Sequence, residues 1–256
     1  MTDIGVDGVI VVNLDRRPER WDEFRQTWAD ILPWDRVERL SASDGVALAG
    51  YGERPWFRGR KRDRTWAGRA GCTLSHARAL RLARSRGWTR VLVMEDDAVP
   101  TEAIGALPAV LAASDAAMIY LGGHEPIGPF GARKDGLIGI GGSLETHAYV
   151  ASADLADWLV DRLPDEAGVW AWVARERAID RWYRREIGRA FPVALASPPL
   201  AIQREGVSDI AQTWRAADHS DWSEGASEPR WLFEVRRAVE RVGDQARAGL
   251  KRLSGF

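Results

Sequence analysis

The sequence predicts an α/β fold in which a mostly parallel central sheet is flanked by helices. Three observations predict it. Apolar, β-branched runs alternate with segments of helical period through the first half of the chain. The first run, "VDGVIVVNL" (6–14), is apolar enough to be a fully buried strand. Four predicted strand ends are polar or glycine-rich: Asn13, Asp44, Glu95 to Asp97, and Gly122-Gly123. In such a sheet these endings share one rim, where ligands bind.

The elements follow in order. After the first strand, Trp21, Phe24, Trp28 and Ile31 recur at helical spacing, and Pro18 suits a first helical turn. "RVERLSASDG" is a second strand ending in a turn at Asp44-Gly45. "TLSHARALRLARSRG" is a helix with Leu74, Ala77 and Leu80 on one face and Gly87 at its stop. "TRVLVMEDD", "AAMIYLGG" and "THAYVAS" are further strands. Helices are expected at 153–163 and 169–186, and "AFPVALASPPLAIQ" is extended and interrupted by Pro198-Pro199. Two stretches read as mobile loops. Residues 52–69 hold seven basic and two acidic residues, and residues 122–142 hold eight glycines that could let the segment close over a ligand.

Composition narrows the function. With 256 residues, 45% hydrophobic and 29% charged, the chain suits a globular domain with a sizeable core. Its net charge of −1 gives no reason to expect a nucleic-acid partner, and no nucleic-acid motif accompanies the basic stretch. One cysteine, Cys72, allows no internal disulfide. The apolar run Val9 to Val12 is too short for a signal peptide or a membrane span. The expected location is cytoplasmic, with peripheral contact at the inner face of a membrane as an option. That option comes from residues 228–256, where Leu232, Val235, Val239, Val242, Leu250 and Leu253 form a helical stripe. Packing of the stripe on the domain is the expected outcome.

"VLVMEDDAVP" (91–100) raises the chemical question. Glu95, Asp96 and Asp97 repel one another unless something positive sits among them. A divalent cation answers this, because Mg²⁺ and Mn²⁺ prefer oxygen ligands and take one or two carboxylates plus diphosphate oxygens. If the strand continues, Glu95 and Asp97 point to one side as metal ligands and Asp96 faces away, toward a ribose hydroxyl or an amide. The plainer alternative is that one of the three caps the helix suggested by Pro100-Thr-Glu.

Five blocks together are more specific than any one. They are "VVNLDRRPERW" (11–21), "SASDG" (41–45), "AGRAGCTLSHARAL" (67–80), "VLVMEDDAVP" (91–100) and "ETHAYVAS" (145–152). Their order resembles glycosyltransferase family 25, the lipooligosaccharide and procollagen galactosyltransferase-like group. The resemblance implies a GT-A fold over residues 1–210, with 211–256 as a C-terminal helical extension. It implies an inverting hexosyltransferase that uses a UDP-sugar, with galactose or glucose as the sugar, and Mn²⁺ or Mg²⁺ at Glu95 and Asp97. The acceptor hydroxyl stays open among glycan, lipid-linked, peptide and small-molecule acceptors. Single displacement needs a base, and Asp180 in "AIDRWY" resembles the family's later aspartate. A helix-surface ion pair with a neighbouring arginine is its plainer role.

Further residues are carried over with the resemblance. Asn13 and Leu14 would meet the uracil or ribose, and Arg16, Arg17 and Arg20 the diphosphate. Asp44, Gly45, Asp96, Gln203 and Ser208 would line the donor site, and Gly71 would permit close backbone approach. Ser75 and His76 are placed in a first helical turn, which favours anions. His147 could add a contact, while Cys72 reads as a packing residue. Acceptor choice is expected in the basic stretch with Trp56, Phe57 and Trp66, or in the glycine-rich loop. Two other functions fit the same residues: an inactive nucleotide-sugar-binding module, and a metal-dependent nucleotide or phosphodiester hydrolase.

Overall fold

The computed structural model describes residues 4–57, 63–128, 130–207, 214–215 and 229–253. In chain order its elements are β1 (Gly8–Asn13), α1 (Pro18–Thr27), β2 (Val37–Ser41), α2 (Asp63–Ser85), β3 (Arg90–Glu95), β4 (Ala98–Pro100), α3 (Leu107–Ala112) and β5 (Met118–Tyr120). Then come β6 (His124–Ile127), β7 (Leu137–Ile140), β8 (Gly142–Leu144), β9 (Ala148–Ser152), α4 (Ala153–Val160), α5 (Val169–Glu176) and α6 (Ile179–Ala190). The last are β10 (Val193–Ala196), β11 (Ala201–Gln203), β12 (Gly206–Val207), β13 (Trp214–Arg215) and α7 (Arg230–Leu253).

Seven strands form the central sheet in the order β2-β1-β3-β9-β5-β10-β7. β1 pairs in parallel with β2 and β3, and β5 with β10, while β9 and β7 run against their neighbours. The expected α/β architecture is therefore present, with two reversed strands in a mostly parallel sheet. The register aligns Asn13 with Ser41 and Val12 with Glu95, so β1, β2 and β3 end at one level. β1 is buried throughout and its alternate side chains feed two cores. Ile10 and Val12 join the layer with α2, α4, α5 and α6, whereas Val9 and Val11 join the layer with α1 and α3.

α1 follows its predicted stripe. Pro18 opens it, Phe24 and Trp28 are fully buried, and the Trp28 indole donates to the Ala98 carbonyl at 2.9 Å. Thr101 caps the short 3-10 turn that follows β4, its side chain accepting from the Ala103 amide. None of the three carboxylates is that cap.

Four expectations need correction. α2 starts at Asp63, so Ser75 and His76 lie in mid-helix and no helix N-terminus there is available to an anion. The helix expected at 169–186 is two, α5 and α6, because Arg177 takes φ +76 and breaks the hydrogen-bond ladder. Part of the glycine-rich segment is strand rather than loop, since β6, β7 and the start of β8 lie within it. Some of its glycines serve contact: a Cβ on Gly122 would stand 2.0 Å from the Ala201 carbonyl oxygen, and one on Gly142 would stand 2.5 Å from the Arg184 backbone, whereas Gly131 and Gly139 meet nothing within 4 Å. Finally, Phe57 and Trp66 are buried beside Tyr51 and Trp170, so these aromatics build core and offer no acceptor platform. The most basic part of that stretch, 58–62, lies outside the described residues, as does Ser208.

The Asp44-Gly45 turn rests directly on α2. A Cβ on Gly45 would stand 1.7 Å from the Ala67 carbonyl oxygen, and one on Gly71 would stand 2.3 Å from the Ser43 oxygen and 2.9 Å from the Gly45 nitrogen. These neighbours are backbone, so no side-chain rotation relieves the overlap. Gly71→Ala is expected to cost about 2–3 kcal/mol in urea unfolding. Gly105→Ala, which meets nothing within 4 Å, should change stability far less.

Candidate active-site cleft

A cleft of about 100 Å³ opens beyond the ends of β1, β2 and β3. Five separate segments line it: Val12, Leu14, Arg16 and Arg20; Ala42 to Gly45; Gly68, Gly71, Cys72, Ser75 and His76; Glu95 to Asp97; and Gln203. Parallel pairing delivers the first and fourth to one level, and the close approach of Gly45 to α2 brings the second and third together. Ser75 secures that approach by accepting from the Ser43 amide at 2.9 Å while donating to the Gly71 carbonyl.

The three carboxylates have three different environments. β3 stops at Glu95, and Asp96 and Asp97 form a turn. Burial works to raise Glu95, but hydrogen bonds with His76 and Thr146 and the charge of His76 and His147 outweigh it and hold this carboxyl at about 2. Glu95 Oε1 receives Thr146 Oγ1 at 2.8 Å and His76 Nε2 at 3.3 Å. The other nitrogen of His76 lies 3.0 Å from the Tyr149 hydroxyl. Because the strand does not continue, Asp96 does not face away but lines the same cleft; the amide it meets is that of Asn13, which donates to it at 2.6 Å, and Arg20 approaches at 3.5 Å. Burial nonetheless raises its carboxyl above the usual range. Asp97 is pushed up to about 7 by burial and by the charges of Glu95 and Asp96. Gln203 donates to Asp97 Oδ2 at 2.8 Å, whereas Oδ1 is buried with no hydrogen-bond partner.

The other predicted residues sort as follows. Leu14, Arg16, Arg20, Asp44, Gly45, Gly71, Ser75, His76, Glu95, Asp96, Asp97 and Gln203 meet in the cleft. Arg16 bonds Asp44 across its mouth at 2.9 Å. Asn13 lies beneath the floor, 1% exposed, held by two hydrogen bonds from Arg39. It acts on the cleft through Asp96 rather than by touching a ligand. Arg17 bonds Glu19 and does not line the cleft. His147 is buried, bonded to the Ala201 carbonyl, and reaches the site through its charge on Glu95. Cys72 does line the cleft, but burial and the Glu95 charge raise its thiol, so it is a poor nucleophile. Asp180 is not among the lining residues. It accepts the Arg181 amide at 2.7 Å, and its charge is felt at Cys72.

Thr146, Arg39 and Gly68 were not anticipated. Thr146 sits inside the "ETHAYVAS" block, so its polar position beside His147 was a usable signal. Gly68 likewise sits inside the "AGRAGCTLSHARAL" block, whereas nothing in the sequence marks Arg39.

Two sets of residues can be tested against a cation. Asp97 Oδ1 is an orphaned buried acceptor, and Glu95 and Asp97 line one cleft, which fits a hard divalent ion. Cys72, His76 and Glu95 bring ligand atoms within 4.8 Å of one another, a softer set better suited to Zn²⁺. His76 is already shared between Tyr149 and Glu95, which favours the carboxylate set.

No family model matches the chain, and no curated protein matches it. Among solved structures, the crystal structure of mannose-1-phosphate geranyltransferase from Thermus thermophilus is similar, with a TM-score of 0.39 and 13% identity over 74% of this chain and 72% of that one. A likeness of that degree carries no argument about function. The family resemblance accordingly rests on the motifs.

The carboxylates set a pH dependence for the metal-free protein. Folded Asp97 keeps a proton to about 7 that the unfolded chain releases near 3.8. Stability therefore falls as pH rises between those values. Glu95 has the opposite sign, but its window lies between about 2 and 4.5, below the range in question. Without metal, the urea midpoint should fall from about pH 5 to about pH 8, and Asp97→Asn should flatten the fall and gain on the order of 1 kcal/mol at the upper end.

Proposed function

We propose that the chain is a metal-dependent transferase that moves a hexose from a UDP-sugar to an acceptor hydroxyl, the activity that the motif resemblance implies. The observation that carries this reading is Asp97. One of its oxygens is buried and unpartnered in a cleft lined by residues of four of the five motif blocks and by Gln203. An acceptor in that state costs about 1–3 kcal/mol until something satisfies it.

When bound, the cation would neutralise the cluster and the charge that grows on a departing diphosphate. Asp97 and Glu95 would hold it. Glu95 is kept ionised for that purpose by His76 and Thr146. Arg20 and Arg16 stand on the cleft wall, each against a carboxylate, Asp96 and Asp44. A bound cation weakens the first of these attractions and frees guanidinium charge for phosphate oxygens. Val12 and Leu14 offer apolar surface beside them. Asp180 is the proposed base, taking the proton of the acceptor hydroxyl.

A second reading, nucleotide-sugar binding without transfer, is favoured by the place of Asp180 outside the cleft lining. Titration calorimetry with UDP, UDP-galactose, UDP-glucose and UDP-N-acetylglucosamine separates these readings when joined to a product assay. With Mn²⁺, one sugar nucleotide should bind at least about tenfold more tightly than in EDTA. Asp97→Ala should abolish that metal effect and leave the circular dichroism unchanged. Binding of none overturns the donor assignment. Tight binding with no transfer to glycan, lipid-linked, peptide or small-molecule acceptors favours the second reading. Unchanged turnover in Asp180→Asn removes that residue as base.

A further inference from the structure

Helix α7 is held to the domain by its charged face. Phe233 is fully buried there, and Asp244 is 7% exposed. Asp244 pairs with Arg185, itself 1% exposed, and lies 3.7 Å from Arg177. Glu240 pairs with Arg184 at 3.1 Å, and Arg237 lies 3.9 Å from Glu186. Positions 233, 237, 240 and 244 form one stripe at helical spacing.

The opposite stripe is apolar and turned outward. Trp231, Val235, Val239, Val242 and Leu250 are 49% to 67% exposed. Among the described residues only Val46 joins them as an exposed large hydrophobic side chain, so the exposure is concentrated on one helix face. A surface helix normally does the reverse, burying its apolar stripe against the core. The expectation that this stripe packs on the domain is thus corrected. The helix does pack, and its buried ion pairs fix the other face inward. A contiguous exposed apolar stripe of this kind marks an interaction surface.

Charge selects the occupant. The three acids of residues 230–250, Glu234, Glu240 and Asp244, each face an arginine at 3.8 Å or less. At 100° per residue, Arg236 and Arg247 border the stripe on one side, and Glu234 and Arg241 on the other. All four are exposed, Arg247 also pairs with Asp244 at 3.5 Å, and Glu234 faces Arg237 at 3.1 Å. With three arginines to one glutamate, the rim of the stripe is net basic. A second copy of this helix would bring arginine rims together, whereas an anionic lipid surface meets them with opposite charge. The tryptophan at the start of the stripe suits the headgroup boundary. Among the described residues no helix is long and apolar enough to cross a membrane, so the helix would lie on the surface rather than span it.

We propose that α7 docks the protein on an anionic membrane surface, with Trp231, Val235, Val239, Val242 and Leu250 seated at the boundary between headgroups and acyl chains. The inference is independent of what the cleft binds.

Co-sedimentation of the full chain with vesicles tests it. The chain should pellet with phosphatidylcholine vesicles containing about one third phosphatidylglycerol, stay in solution with pure phosphatidylcholine, and release as salt rises. The double variant Val239→Glu, Val242→Glu should bind at least about tenfold more weakly at an unchanged melting temperature, because both sites are exposed. Arg236→Glu with Arg241→Glu should weaken anionic binding by a similar factor. Wild type left in solution with anionic vesicles overturns the proposal, as does undiminished binding by the valine variant. Equal binding to neutral vesicles overturns the charge argument. Light scattering that finds a dimer, dissolved by the valine variant and indifferent to vesicles, assigns the stripe to a second copy.

Discussion

The cleft depends on a backbone contact that only glycine permits. Gly45 and Gly71 have no Cβ, so the turn after β2 can lie against α2 at a distance that any other residue would forbid. Ser75 then bonds the Ser43 amide from the helix side and fixes the register of turn on helix. Asp44 and Ser43 are thereby carried over the end of β3, where the carboxylates are. Without this contact the residues of β2 and α2 would remain on two separate elements.

The electrostatics of the cleft follow from how each carboxylate is partnered. Glu95 receives two polar side chains and stays ionised despite burial. Asp96 is anchored by Asn13, which Arg39 in turn orients. Asp97 is left with one satisfied oxygen and bears the repulsion of the other two. The cluster is thus organised and still short of positive charge. That imbalance is destabilising for the chain alone, and the cation proposed for this cleft would offset it.

A similar logic joins the sheet edge to α7. Gly142 and Gly188 let the β8 segment approach α6 at backbone distance, and Gly141 leaves room for the Phe233 ring of α7. α6 presents Arg184 and Arg185 to the acids of α7. Buried arginines without partners are costly, so Glu240 and Asp244 hold the helix by necessity and its apolar side is left facing out. The orientation of α7 is decided by charge pairing, not by the hydrophobic pattern that sequence inspection weighs first.

Local physics made much of this molecule legible in advance. The β-branched runs became β1, β3 and β9 because such strands are buried wherever they pair. Pro18 opened α1, and Phe24 and Trp28 faced inward because helical spacing leaves them one side. The polar strand ends shared a rim because parallel strands in register must end together. Twelve of the anticipated residues, from Leu14 to Gln203, met in one cleft, those that follow β1, β2 and β3 for that reason. Tertiary contact decided the rest. Gly71 touches a turn far away in sequence, Ser75 and His76 lie in mid-helix because α2 extends back to Asp63, and Thr146 finds Glu95 across fifty-one residues. Several glycines of 122–142, among them Gly122, Gly123 and Gly142, read as flexibility and proved to be close packing. Composition records the missing side chain but not the neighbour that needs its absence. The valine stripe of α7 was visible as a period, yet its outward direction was set by Arg184 and Arg185 on another helix. A period along one element states which residues share a face, and only the partner elements determine where that face points.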